Sequence, residues 1–331
     1  METKASDRPS RRQALRIVAA VAAWPALAAH AQWRPQRPIR IVVPYAPGGT
    51  TDLIARIVGV PLGKELAQEI VIDNRGGGGG TIGMGAVAQA APDGYTLGIP
   101  AIGAHAANET LMSKLPYDTD RDFQPIVFIG ASPLVVVVNP SNPARDVRDL
   151  IARAKAAGKV VNFASGGIGL GSHIAGELLK IRSGADMTHI AYKGGGPAMA
   201  DVMSGQVDLL FAPVGTVLPI VNSGKLKALA IASATRSQRM PSVPTMQESG
   251  FPDFVMAESF GLVGPKGLPA DIVQRLNQAV ISVLRQPEVA KRLEDQGVDV
   301  SPSTPQQLEE FIRGEVRKYR DVIQRAGIKL G

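Results

Sequence analysis

Two glycine-rich stretches of this chain share one composition and one position relative to the runs that predict strands. The first loop, residues 44–52, reads Pro-Tyr-Ala-Pro-Gly-Gly-Thr-Thr-Asp and directly follows the apolar run Ile39–Val43. The second loop, residues 192–198, reads Tyr-Lys-Gly-Gly-Gly-Pro-Ala and follows Met187–Ala191. Each pattern predicts a strand, a turn and a helix start. Such a turn leaves backbone N–H groups unpaired at the positive end of a helix dipole, so it can bind an anion without a charged side chain.

A third loop, residues 164–172, reads Ala-Ser-Gly-Gly-Ile-Gly-Leu-Gly-Ser and has the same strand-to-helix context. The first and second loops lie about 150 residues apart, which suggests two halves of the molecule that grip one anionic ligand. Two charged side chains accompany the loops. Lys193 faces either the anion or water, and Asp52, which suits a helix N-terminus, is expected to bond the loop or the opposite half.

Other arrangements of reactive residues are weak. The run Gly76–Gly80 matches a dinucleotide-binding fingerprint by letter, but the next predicted strand ends in Pro100 where that fold needs an acidic residue. Ser172 and His173 are adjacent on a predicted helix and point about 100° apart, so they are poorly placed as nucleophile and base. The sequence therefore predicts no enzyme, no catalytic residues, no cofactor and no metal.

Composition and the N-terminus predict an exported protein. The chain has 331 residues and a net charge of +7, but aromatic residues make up only 5%, and no basic run with interleaved aromatics predicts nucleic-acid binding. Residues 1–31 combine the arginine pair Arg11 and Arg12, an apolar run at residues 17–29 and the small-residue site before Gln32. This pattern predicts a twin-arginine-like signal peptide, cleaved after Ala31, and a periplasmic protein. Ala14 stands where the twin-arginine pattern prefers a large apolar residue, so the general secretory route stays open.

The order of apolar runs predicts two α/β units followed by a helical tail. Alternating strands and helices imply parallel sheets, and the tail is expected to pack on the first unit. Two antiparallel strands, near residues 134–139 and 254–262, are expected to cross between the units and form a hinge. The predicted strands are 39–43, 69–73, 95–99, 126–129, 134–138, 160–163, 188–191, 207–211, 228–232 and 254–263; the predicted helices are 51–66, 82–90, 147–157, 172–181, 197–203, 271–285, 287–296 and 305–326.

Several motifs together resemble one family, the Bug family of substrate-binding proteins of tripartite tricarboxylate transporters. Residues 41–52, Ile-Val-Val-Pro-Tyr-Ala-Pro-Gly-Gly-Thr-Thr-Asp, resemble its first signature. The resemblance continues in order along the whole mature chain. The further matching segments are 91–97 (Ala-Pro-Asp-Gly-Tyr-Thr-Leu), 115–118 (Leu-Pro-Tyr-Asp), 173–178 (His-Ile-Ala-Gly-Glu-Leu), 191–194 (Ala-Tyr-Lys-Gly), 205–208 (Gly-Gln-Val-Asp) and 244–250 (Pro-Thr-Met-Gln-Glu-Ser-Gly).

The resemblance implies an α/β fold of the two-lobed periplasmic binding type, type II-like, with a mostly parallel sheet flanked by helices in each lobe. Lobe 1 would comprise residues 32–137 and 258–331, and lobe 2 residues 138–257. The lobes would close on a small organic carboxylate held by backbone amides and bridging water. A monomeric receptor would then deliver it to membrane transporter subunits. The predicted ligand-binding residues are Tyr45, Ala46, Pro47, Gly48, Gly49, Thr50, Asp52, Ser165, Gly166, Gly169, Lys193, Gly194, Gly195, Gly196 and Ala212.

The chain departs from the family pattern in two places. Gly76–Gly80 replaces a less glycine-rich loop, and Ala212-Pro213-Val214 stands where many members have an acidic residue followed by asparagine. The second departure lowers the case for a ligand with an ammonium group but does not exclude one. Two alternatives stay open: an exported enzyme that acts on a carboxylate or ester in the same cleft, and a receptor that serves signalling without a transporter. The sequence does not disclose which carboxylate is bound.

Overall fold

A computed structural model describes residues 33–330, and within this range ten α-helices flank ten β-strands. The predicted signal peptide lies outside the described residues. No helix in residues 33–330 is both long and apolar enough to cross a membrane. The strands are β1 (Ile39–Val43), β2 (Ile70–Asn74), β3 (Thr96–Gly98), β4 (Phe123–Val138), β5 (Val161–Ser165), β6 (Met187–Ala191), β7 (Leu209–Pro213), β8 (Lys227–Ile231), β9 (Ala257–Pro265) and β10 (Asp299–Val300). The helices are α1 (Thr50–Leu66), α2 (Thr81–Ala88), α3 (Ile102–Leu111), α4 (Val147–Ala156), α5 (Gly171–Ser183), α6 (Gly195–Met203), α7 (Val214–Asn222), α8 (Ala270–Leu284), α9 (Pro287–Asp295) and α10 (Pro305–Ala326).

Two groups of parallel strands confirm the predicted α/β order. In the first group β1 pairs in parallel with β2 and with β3. In the second group β5 pairs in parallel with β6 and with β7. The apolar runs form these strands because both sheet faces are covered by helices, so nearly every side chain of β1 is buried. The three glycine loops all begin at the carboxyl end of a parallel strand, which is where such sheets bind ligands.

Two long antiparallel strands join the groups. β9 pairs with β3 on one side and with β4 on the other, and β4 continues past β9 to pair with β7 and β8. The sequence predicted two short strands, 126–129 and 134–138, where the structure has the single strand β4. The interruption was expected at Ser132-Pro133, but Pro133 is the residue at which β4 changes partners. It pairs with Ala257 at the start of β9, and Leu134 begins the pairing with β7. A proline is tolerated there because no continuous ladder needs its N–H.

The sequence analysis missed two helices, α3 and α7. Neither begins with a side-chain cap, and α7 contains Gly215 and Pro219, which weaken the helical pattern. α7 directly follows β7, and three residues separate the end of β3 from the start of α3. Packing on the sheet stabilises both helices despite the weak local signal.

The C-terminal helices pack on helices of the first group and on β4, in line with the expected packing of the tail on the first unit. α8 lies against α1, and α10 lies against α3 and also against α5 of the second group. The capping box of Thr304 with Gln307 fixes the start of α10. Near its other end, Tyr319 is only 1% exposed, and its hydroxyl lies close to Gly103 of α3 and Gly171 of α5. α10 therefore carries one aromatic side chain to the junction of the two groups of strands.

Candidate functional site

A cavity of about 190 Å³ lies where the first loop, α3, the third loop and β9 meet. Its wall contains small and apolar side chains with a few polar groups, and among residues 33–330 no lysine, arginine or histidine lines it. The lining residues are Tyr45, Gly49, Thr50, Thr51, Ala101, Gly103, Ala104, Leu170, Gly171, Ala257, Glu258, Ser259, Phe260 and Tyr319.

Three helices begin at this cavity. Gly49, Ala101 and Leu170 are the N-caps of α1, α3 and α5, and each lies in the wall or directly beside it. None of the three N-caps makes a side-chain capping bond, so no side chain occupies the first-turn N–H groups. Each helix start carries about half a positive elementary charge from its aligned peptide dipoles. The cavity can therefore hold an anion through the backbone alone.

A buried network fixes the shape of the first loop. Asp52, only 3% exposed, accepts a hydrogen bond of 2.9 Å from the Gly48 N–H and bonds of 3.0 and 3.1 Å from Arg56 Nε. Asn74 Nδ2 donates to Asp52 Oδ1 at 3.0 Å and also to the Tyr45 carbonyl at 3.3 Å. Burial alone would raise the pKa of Asp52, but the bonds from Arg56, Gly48 and Asn74 hold that pKa below its ordinary value. Asp52 thus bonds the loop, one of the two outcomes that the sequence left open.

The variant Asp52→Ala should loosen the first loop. We expect a loss of about 2 kcal/mol in the free energy of unfolding and about tenfold weaker ligand binding, because Gly48 and Arg56 lose a charged acceptor. Since the folded protein lowers the pKa of Asp52, its contribution is present at neutral pH and is lost as the pH falls through that lowered value. Urea unfolding at pH 7 and at pH 3 measures the free energy of unfolding of both proteins. The difference between variant and wild type should be smaller at pH 3 than at pH 7.

The control Asp295→Ala removes an exposed partner of Lys291. It should change neither the free energy of unfolding nor the ligand affinity. Equal effects of Asp52→Ala and Asp295→Ala would contradict the prediction.

The second and third loops are braced against each other. The Gly194 N–H donates to the Gly166 carbonyl at 2.9 Å, and the Tyr192 N–H donates to the Ser165 carbonyl at 3.0 Å. A Cβ at Gly166 would lie 3.0 Å from the Gly195 nitrogen, so the two loops pack tightly here. The two loops therefore form one unit, in which the third loop lies at the cavity and the second loop lies behind it.

The N–H groups of the third loop are mostly used within that loop. Those of Gly166 and Gly167 bond Ser172 Oγ at 3.3 Å and Ser165 Oγ at 3.1 Å, and that of Gly169 bonds His173 Nδ1 at 3.1 Å. In contrast, α6 begins at the second loop without a side-chain cap. A ligand would find donors at the starts of α5 and α6 rather than in the middle of the third loop.

The structure places the predicted site residues in four groups, and ligand contact by all of them stays a prediction. Tyr45, Gly49 and Thr50 line the cavity. Of the others, Asp52, Ser165, Gly169 and Ala212 are buried within the fold, Gly166 and Gly194 are half-buried, and Ala46, Pro47, Gly48, Lys193, Gly195 and Gly196 are exposed near the loops.

Two stacked histidines support the third loop. The rings of His173 and His189 stack with centroids 3.7 Å apart, and His189 Nε2 lies 2.6 Å from Ser165 Oγ. Ser165 is fully buried, and its hydroxyl is also bonded to Gly167. Burial first, and then the neighbouring His173, lower the pKa of His189 to about 4, so this ring is neutral near pH 7. The pair holds the third loop in shape.

Most of the cavity wall was missed from the sequence. Residues 101–104 follow β3 as the first loop follows β1, so the rule that ligands bind beyond the carboxyl ends of strands could have found them. Glu258 and Phe260 lie on a strand that was predicted to cross between the units. Tyr319 lies on an amphipathic helix far along the chain, and no local signal marks it.

Glu258 is the one carboxylate in the cavity wall. It is paired across the strands with Ser132 and lies close enough to the phenols of Tyr45 and Tyr319 to raise their pKa values, an effect smaller than that of burial. Burial raises the pKa of Glu258 itself to about 7. The side chain is half-buried, and within residues 33–330 its carboxylate has no ion pair and accepts no hydrogen bond from the protein.

Comparisons with known proteins agree with one another. A family model described as the tripartite tricarboxylate transporter family receptor matches residues 54–328. Protein BugT of Bordetella pertussis is 39% identical over 297 residues, which cover 89% of this chain and 91% of BugT.

Two solved structures with bound carboxylates are also similar. MatC from Rhodopseudomonas palustris, solved with malate, is 34% identical and has a TM-score of 0.74 over 87% of this chain and 99% of MatC. A second R. palustris protein, solved with adipate, is 32% identical and has a TM-score of 0.78 over 89% of this chain and 99% of its own.

Proposed function

This chain belongs to the tripartite tricarboxylate transporter receptor family, and we propose that within it the protein captures a small organic carboxylate and passes it to a membrane transporter. The family and these relatives are solute-binding receptors and not enzymes. The observation that carries the proposal is the meeting of three uncapped helix N-termini at one small cavity without a basic side chain. That arrangement suits a carboxylate, because backbone N–H groups can be shared between its two oxygens.

The relatives support the chemical class of the ligand. MatC binds malate and the second R. palustris protein binds adipate, and both ligands are small organic carboxylates. A cavity of about 190 Å³ restricts the ligand to a small molecule. Tyr45, Leu170 and Phe260 give it an apolar side against which carbon atoms of the ligand can pack.

Binding would proceed by closure of two lobes, with residues 32–137 and 258–331 in one and residues 138–257 in the other. The change of partners in β4 at Pro133 and Leu134 supports a boundary near this point, since β4 and β9 are the strands that pass between the two groups. A ligand held by the first turns of α1 and α3 would draw in the start of α5 and the second loop. The closed form would be the shape that the transporter recognises.

Members of this family are periplasmic solute-binding proteins. We place this protein in the periplasm as a monomer, after removal of residues 1–31. The basic and apolar composition of that segment supports export, by the twin-arginine or the general route.

The test is to identify what the protein carries. Mass spectrometry of protein purified under native conditions should detect a bound small carboxylate, and calorimetry with a panel of mono-, di- and amino-carboxylates should give at least one dissociation constant below about 10 μM. If no carboxylate binds below millimolar concentration, the proposed function is wrong. Turnover of a bound carboxylate or ester by the purified protein would favour the exported enzyme instead.

A further inference from the structure

Tyr319 occupies a position on α10 where an apolar side chain would complete the core. It belongs to the buried stripe of this helix, which recurs at helical spacing and packs against α3, α5 and β4. Its ring is only 1% exposed, so a phenylalanine would fill nearly the same space, and the hydroxyl group needs a separate explanation. The apolar members of the stripe besides Tyr319 are Leu308, Ile312, Val316, Val322 and Ile323.

The hydroxyl of Tyr319 has no hydrogen-bond partner within residues 33–330, whereas the other four tyrosines of the chain each have one. Burying a hydroxyl group without a partner costs free energy, so a buried hydroxyl normally bonds to something. The partners of the other four are the Ala101 backbone for Tyr45, the Gln36 N–H for Tyr95, His105 Nδ1 for Tyr117 and Asp201 Oδ2 for Tyr192.

The same hydroxyl lies at the cavity, between two helix starts. Tyr319 lines the cavity wall together with Gly103 and Gly171, which belong to the first turns of α3 and α5. A Cβ on Gly103 would overlap the Tyr319 hydroxyl, and a Cβ on Gly171 would lie 3.6 Å from it. Both helix starts lack a side-chain cap and favour negative charge. The unpartnered hydroxyl is therefore placed where the backbone favours an anion.

The hydroxyl is a hydrogen-bond donor at neutral pH. Burial raises the pKa of Tyr319, and the negative charges of Glu315 and Glu258 raise it further, so the phenol stays protonated. The Glu258 carboxylate affects Tyr319 through its charge and accepts no hydrogen bond from it. An O–H group bonds more strongly to an ionised carboxylate than to a neutral acceptor. A carboxylate oxygen in the cavity would thus be a good partner for Tyr319.

We propose that Tyr319 is a ligand-binding residue, whose hydroxyl donates a hydrogen bond to a carboxylate oxygen of the ligand between the first turns of α3 and α5. This inference rests on the proposed function and adds one side-chain donor to the backbone N–H groups of the site. It also gives α10 a role in binding. Because this helix packs against both α3 and α5, it fixes the donor at the junction of the two groups of strands.

The variant Tyr319→Phe removes the hydroxyl and keeps the ring. Calorimetry should give an affinity at least about tenfold weaker than that of wild type, because a hydrogen bond to a charged group is lost. Malate and adipate are the first probes, followed by the carboxylate of the panel that wild type binds most tightly. The melting temperature of the unliganded variant should equal that of wild type or exceed it, since the hydroxyl bonds to nothing in the described protein.

Tyr117→Phe is the matched control. Tyr117 is also buried and lies outside the cavity wall, and its hydroxyl is 3.1 Å from His105 Nδ1. This variant should lower the melting temperature, because His105 loses its partner, and should leave the affinity unchanged. The two tyrosine variants are thus expected to have opposite effects on affinity and stability.

NMR of the phenolic carbon tests the contact directly. In protein labelled with ¹³C at this carbon of its five tyrosines, the resonance that Tyr319→Phe lacks belongs to Tyr319. Addition of the probe should shift this resonance and leave that of Tyr117 in place, because only the Tyr319 hydroxyl gains an ionised acceptor. A residue that merely fills the core would show no such shift.

Three results would overturn the inference and leave the proposed function standing. They are an affinity of Tyr319→Phe within about twofold of wild type, a Tyr319 resonance that does not move at saturation with the probe, and a melting temperature lowered as far as in Tyr117→Phe. If no carboxylate of the panel binds wild type below millimolar concentration, the proposed function itself is wrong.

Discussion

Replacing Gly49 with valine is expected to weaken carboxylate binding at least about a hundredfold while the protein stays folded. Gly49 is the N-cap of α1 and lines the cavity. Its φ of −78° and ψ of 167° are accessible to valine, and a Cβ there would lie 3.7 Å from its nearest neighbour, the Ala46 carbonyl oxygen. The added side chain therefore fits the fold. Its methyl groups would cover the N–H groups of Thr50 and Thr51, where we propose that the ligand carboxylate binds.

Calorimetry measures the carboxylate affinity of Gly49→Val, and a thermal melt measures its folding stability. Valine is a poorer N-cap than glycine, which costs about 1 kcal/mol of stability. Gly314→Val is the matched control, because Gly314 lies on α10 with open space around its Cα and outside the cavity wall. Gly48 is unsuitable as a probe, since its φ of 84° would strain any other residue. Undiminished affinity in Gly49→Val would mean that the first loop is an ordinary turn.

The parts of the site that follow from local sequence could be predicted. A strand, a glycine pair and a helix start lie within about fifteen residues around Gly49, and their order along the chain determines their geometry. The same holds for the parallel pairing of β1 with β2 and β3, which the alternation of apolar runs predicts. The hydrogen bonding of Asp52 within the first loop could also be predicted, because an acidic residue in the first turn of a helix commonly accepts hydrogen bonds from nearby N–H groups.

The rest of the cavity depends on contacts between distant segments. Tyr319 contacts Gly103 because α10 packs against α3, and the sequence around residue 319 does not predict that contact. Glu258 faces the cavity because of the register between β4 and β9, which contains two irregularities and cannot be read from either strand alone.

Replacing Gly195 with valine is also expected to abolish tight binding, through a different step. Gly195 is exposed at the start of α6, and a Cβ there would meet nothing within 4 Å, so the variant should fold as the wild type does. The second loop does not line the cavity but is braced against the third loop, which does. In the proposed closure, the N–H groups of this loop contact the ligand only once the second lobe has closed. The valine would then separate the second loop from the ligand, and we expect at least about a hundredfold weaker binding.

Association and dissociation rates should differ between Gly49→Val and Gly195→Val, and this difference tests whether the lobes close on the ligand. If the ligand first docks on the starts of α1 and α3 and the second lobe then closes, Gly49→Val removes the docking surface and lowers the association rate. Gly195→Val leaves that surface intact, so the association rate should stay near that of wild type while the dissociation rate rises by about the whole loss in affinity. X-ray scattering should show that the ligand makes wild type more compact but not Gly195→Val. Wild-type affinity and compaction in Gly195→Val would show instead that the second loop only supports the third, because no closing step would then depend on contact between Gly195 and the ligand.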